Sequence, residues 1–91
     1  SMQTNLQTII ELIRRTSLSP EDKTDLIFVF SLAKKDADLA PAVQLLSKDP
    51  SWIEKINDNY RGKSAAIAAK SSVAWDKIIE DEERQLRRFE V

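Results

Sequence analysis

Four consecutive carboxylates, Glu80, Asp81, Glu82 and Glu83, form the densest cluster of chemically capable side chains in this sequence. On a helix, Asp76, Glu80 and Glu83 share one face, because residues three and four apart are neighbours there. Such a face is raw material for a paired acid and base, or for a hard cation that takes oxygen ligands. The bases that follow, Arg84, Arg87 and Arg88, argue for a plainer reading. Acids toward a helix start and bases toward its end complement the helix dipole and pair one turn apart. A solvated helix face is therefore expected, with no metal or catalytic site in it.

The remaining inventory points the same way. Histidine and cysteine supply most groups that titrate near neutrality and most activated nucleophiles, and the chain has neither. Its only glycine, Gly62, stands alone, so no glycine-rich loop can cradle a phosphate. No enzyme, no catalytic residue and no cofactor is expected.

Arg61, Lys63 and Lys70, with Tyr60 beside them, are the candidates for contact with a nucleic-acid backbone. A recognition helix normally presents basic or amide side chains from its first turns, however, and the helix that carries them opens Pro50, Ser51, Trp52, Ile53, Glu54. Fourteen basic residues against fifteen acidic leave a net charge of −1, and the balance holds in both halves of the chain. No overall field draws a polyanion or an anionic membrane.

Large apolar side chains give the other set of candidates. Leu26-Ile27-Phe28-Val29-Phe30, then Leu32 and Ala33, put apolar groups around most of a helix, more than one buried stripe can hold. Either this helix is the centre of a bundle, the reading favoured by how few other large residues the chain has, or part of it is left for a partner. Phe28 is the candidate contact here. Trp52 and Trp75 each stand near a helix start, where a ring closes the end of a bundle or projects into a partner. Leu86 and Phe89 complete the set, on a last helix whose apolar stripe thins where Glu82 replaces the expected apolar residue.

The elements that must position these residues are helices. The sequence is rich in Ala, Leu, Ile, Glu, Lys and Arg, with three prolines. Leu6, Ile9, Ile10 and Ile13 mark a first helix over about 4–15. Ser19-Pro20-Glu21-Asp22 is a start signal: a capping hydroxyl, a proline where its missing N–H costs nothing, then acids on the positive end. The second helix should run from there to about Lys35. Asp36 or Asp38 caps a short third helix that tolerates Pro41 in its first turn and packs through Leu39, Val43, Leu45 and Leu46.

Asp49-Pro50-Ser51-Trp52 opens a fourth helix to about Lys70, with Ile53, Ile56, Tyr60 and Ile67 on one face. Ser71-Ser72 supplies a turn and a cap for a fifth helix through Val73, Trp75, Ile78 and Ile79. A short link makes these last two a long antiparallel hairpin, with the alanines of Ala65–Ala69 set against Trp75, Ile78 and Ile79. The expected architecture is all-α, a small compact bundle of about five helices, four if the first docks loosely and six if Gly62 breaks the fourth. Ninety-one residues allow one domain, 1–91, in which Ser1-Met2 reads as the scar of an expression tag.

The apolar run Leu26–Phe30 is far short of the roughly 20 residues that cross a bilayer. The lack of cysteine suits a reducing compartment, so the cytoplasm is the default location, although a leader could have been removed ahead of the tag scar. Together these features predict a non-enzymatic protein–protein interaction or scaffolding module, with a second copy of the chain among its candidate partners. The alternative is a nucleic-acid-binding regulator or antitoxin-like protein that uses Arg61, Lys63 and Lys70.

Overall fold

The computed structural model describes residues 3–90, and side chains as far as Arg88; Ser1-Met2 lies outside the described residues. Five α-helices and one short 3-10 helix make up its regular structure, and no strand occurs among the described residues. The helices are α1 (Thr4–Arg14), α2 (Pro20–Ser31), α3 (Ala40–Lys48), α4 (Ser51–Ala68) and α5 (Ser72–Glu90), with the 3-10 helix over Asp36–Leu39 ahead of α3. None is long and apolar enough to cross a membrane. The chain divides into two compact units, residues 1–55 and 56–91.

In the first unit α1 is the central helix. Its stripe Leu6, Ile9 and Ile13 is buried, and α2, the 3-10 helix and α3 all pack against it. Leu26 of α2, Leu39, Leu46 of α3 and Ile53 at the start of α4 complete the buried set. The apolar second helix is thus not the centre. α2 buries Leu26 alone, while Phe28 and Leu32, which follows its last turn, are 61% and 64% exposed.

The helix starts are where local chemistry places them. Ser19 Oγ accepts the Asp22 N–H at 3.1 Å, with Pro20 in the first turn. Pro41 takes the matching position in α3. Asp49 Oδ1 accepts from the Ser51 N–H at 3.2 Å and from its hydroxyl at 2.5 Å, and that hydroxyl bond holds the Asp49 carboxyl below its ordinary value.

The expected cap of the third helix is different. Asp36 turns away from its own element and caps α1 instead, accepting the Asn5 and Leu6 N–H groups at 2.9 Å each, while Asn5 Nδ2 donates to the Asp36 carbonyl at 3.0 Å. Gln3, next to the first turn of α1, makes no side-chain cap of its own, so those two donors are free to take a carboxylate from 30 residues away. Carrying Asp36 to that place needs the chain to turn early. α2 accordingly ends at Ser31, not near Lys35, through tight bonds from the Leu32 N–H to Val29 and the Ala33 N–H to Phe30.

The second unit is an antiparallel hairpin of α4 and α5. Gly62 does not interrupt α4, which continues to Ala68. There the Lys70 N–H bonds to the Ile67 carbonyl and the Ser71 N–H to Ala66, with Lys70 in the left-handed region at φ 53°. This is the usual way of closing a helix, with lysine where glycine is commonest. Ser71 then caps α5, its Oγ accepting the Ala74 N–H at 3.1 Å.

Candidate protein-contact surfaces

The face that α4 turns to α5 is Asn59, Gly62, Lys63 and Ala66, a run of small and polar residues at helical spacing. Its centre is Gly62: a Cβ there would stand 3.1 Å from Ile78 Cδ1 and 3.5 Å from Cγ1, so the missing side chain makes room for Ile78. The alanine cluster was expected to do this. Instead only Ala66 of Ala65–Ala69 is buried. Ile67, one step around the helix from Ala66, is 65% exposed and not part of the packed face.

Lys63 and Glu82 link the two helices. Lys63 Nζ lies 2.8 Å from Glu82 Oε2, which also accepts from Asn59 Nδ2 at 2.8 Å. The Lys63 hydrogen bond, with a smaller contribution from Asn59, holds the Glu82 carboxyl below its ordinary value, outweighing the partial burial that pushes it up. Glu82 therefore fits the packed stripe as a partner in a cross-helix bond. It is not a gap in that stripe.

The other carboxylates of that run face outward in helix-turn pairs. Asp81 pairs with Arg84, and Glu83 with Arg87 at 3.3 Å, all of them about half exposed or more. Asp76 and Glu80 are exposed. Among the described residues no three acidic side chains are grouped so as to hold a metal ion.

Of the three basic candidates, Lys63 is committed to Glu82 and also stands 5.8 Å from the centre of the Trp75 ring. Arg61 and Lys70 are exposed. Lys70 serves the fold through its backbone, at the end of α4.

The apolar candidates separate into two kinds. Trp52 and Trp75 are half-buried, and each carries a lysine ammonium over its ring, Lys55 at 4.6 Å for Trp52. Such contacts contribute about 0.5–1 kcal/mol at partly exposed sites, so part of each ring already serves the fold. Phe28 is open, and Leu86 is half exposed on α5. The side chain of Phe89 lies outside the described residues.

Three exposed residues were missed by the site reading. Leu32 extends the Phe28 surface by one helical turn, and Ile67 and Val73, 80% exposed, flank the hairpin turn. A shallow hollow of about 200 Å³ beside that turn is lined by Ala66, Ile67, Lys70, Ser71, Ser72 and Trp75. The surplus of apolar residues around α2 was the signal for Leu32. Nothing in the spacing marked Ile67, because it continues the series Ile53, Ile56 and Tyr60, which is buried or half-buried.

No protein-family model, curated protein or solved structure matches this chain.

Proposed function

We propose that the chain is a non-enzymatic protein-binding module of the cytoplasm that engages its partner through the outer face of α2, with Phe28 as the anchor. The observation that carries this reading is the pairing of Phe28 and Leu32, exposed side by side one turn apart while Leu26 is the one side chain of α2 that is fully buried. Single surface apolar residues are ordinary, but an open aromatic next to an open leucine forms the kind of patch that protein contacts cover. Burying a side chain of this size contributes about 1.5–3 kcal/mol, and aromatics are the usual anchors of interfaces.

The nucleic-acid alternative has less support. It needs three lysine and arginine charges free to face phosphates, and Lys63 is already neutralised by Glu82.

Site-specific photocrosslinking in expressing cells tests the contact. A photoreactive phenylalanine analogue at position 28 is expected to give a discrete adduct, and the same group at exposed Glu11 on α1 is expected to give none. No adduct at 28, or equal adducts at both positions, would remove the assignment.

A further inference from the structure

Resting on the contact reading above, we infer that the occupant of the α2 face is a basic amphipathic helix of another protein. It sets lysine or arginine over the first half of α2 and apolar side chains over the second. Glu21, Asp25, Phe28 and Leu32 are all exposed, and Leu32, with φ −74° and ψ −11°, keeps the helical register. At 3.6 residues per turn these four fall within about a sixth of the helix circumference. Their alternating steps of four, three and four residues are the spacing of a seam that a second helix covers.

The carboxylates decide which helix. On α1 and α5, exposed acids pair with an arginine one turn on: Glu11 with Arg15, Asp81 with Arg84 and Glu83 with Arg87. α2 offers its outer acids no such partner. Its only basic residue, Lys23, donates to the Arg14 carbonyl on the inner side. Among the described residues, neither Glu21 nor Asp25 has an ion pair. The helix dipole accounts for Glu21 in the first turn, but Asp25 lies beyond that turn, where the dipole no longer acts. A shallow hollow of about 390 Å³ beside the two carboxylates, lined by Pro20, Glu21, Thr24 and Asp25, has room for the end of a long basic side chain.

Lys34 and Lys35 lie past the end of α2, in the segment that leads Asp36 to α1, and are not in register with this face. They follow the apolar half, so a cation of the partner is favoured at the Glu21 end and disfavoured at the other. The face itself carries no cation, so a second copy of α2 does not supply the complement.

The probe is a synthetic helix of about 18 residues of Leu, Ala and Lys, with lysines on one half of its contact stripe and leucines on the other; its counterpart has glutamate for lysine. Titrated into the isotopically labelled full chain up to about 1 mM at low salt, the lysine peptide is expected to shift the amide resonances of α2. The glutamate peptide should bind about tenfold more weakly, and Phe28→Ser should weaken the lysine peptide by about the same factor. Glu21→Lys with Asp25→Lys should exchange the preference between the two peptides. Glu21→Gln with Asp25→Asn, expected to abolish that preference, serves should the lysines disturb folding, and circular dichroism checks the helix content of each variant. No shift with either peptide, equal binding of both, shifts confined to residues outside α2, or a preference that survives the double substitutions overturns the basic helix. In cells, the adduct at position 28 is expected to weaken in the chain with Glu21→Lys and Asp25→Lys. An adduct indifferent to that change, or one that joins two copies of this chain, overturns the basic helix and leaves the contact surface standing. Absence of any adduct removes both.

Discussion

Asp36→Ala should destabilise the first unit more than any other single truncation of an exposed or half-exposed carboxylate in it. The substitution removes both acceptors of the Asn5 and Leu6 N–H groups, each at 2.9 Å, from the first turn of the central helix. Losing a capping side chain costs about 0.5–2 kcal/mol, and losing an anion from the positive end of a helix about 0.3–1 kcal/mol. The two donors are partly buried, so water replaces the carboxylate incompletely, and the sum is expected near 2 kcal/mol. For a domain of this size that is a fall in Tm of about 8–16 °C. Asp36→Asn keeps one acceptor and loses the charge, so about half the effect should remain. Asp38→Ala, two residues on and exposed, should change stability by less than about 0.5 kcal/mol. Thermal or urea unfolding gives the magnitudes, and hydrogen exchange locates the effect: the Asn5 and Leu6 amides should lose protection. Equal losses from Asp36→Ala and Asp38→Ala would refute the cap.

Two further outcomes concern the hairpin. The Glu82 carboxyl titrates below its ordinary value of 4.5, so its bond to Lys63 stabilises the folded hairpin above that pH and is lost as pH falls through the lowered value. Urea unfolding at about pH 7 and about pH 3 should show this loss, and Lys63→Met should be less stable at neutral pH but less sensitive to acid, since the remaining carboxylates are common to both chains. Lys70→Gly should stabilise by about 0.5–1 kcal/mol, because a left-handed φ of 53° costs a lysine about 1–2 kcal/mol and a glycine almost nothing. A lower midpoint than the parent chain would mean that the Lys70 side chain contributes more than its backbone costs.

The helix count, the antiparallel hairpin and the starts at Ser19, Asp49 and Ser71 were legible because a cap is settled within four residues of sequence. The position of each helix in the fold was not. α2 has more apolar residues than α1 in its run 26–30, yet α1 is the helix surrounded, because its apolar residues form one stripe that two neighbours and a 3-10 helix can share. Apolar density on α2 is spread around the axis and leaves an open side. Asp36 carried a correct signal, a capping carboxylate, but its target lies 30 residues upstream, and no local rule assigns a cap across that distance. Glu82 was read as a break in a stripe for the same reason: its partners, Asn59 and Lys63, belong to the other helix. Small residues in Ala65–Ala69 promised a close crossing that the single Gly62 provides.

The same asymmetry separates folding from contact on α2. The inner side of the helix is held by buried Leu26 and by the Lys23 ammonium, which donates to the Arg14 carbonyl at 2.9 Å and so sits on the negative end of α1. With Asp36 on the opposite end, α1 has a charge of the right sign at each terminus, and α2 is fastened to it along one side. The outer side takes no part in that attachment. Replacing Phe28 or Leu32 by a polar residue should therefore move stability by less than about 0.5 kcal/mol, as for other exposed positions away from caps and cores. A measured loss of several kcal/mol would mean that these side chains hold the monomer together; an unchanged midpoint, combined with loss of association, would leave partner contact as the reason that a phenylalanine and a leucine stand in water.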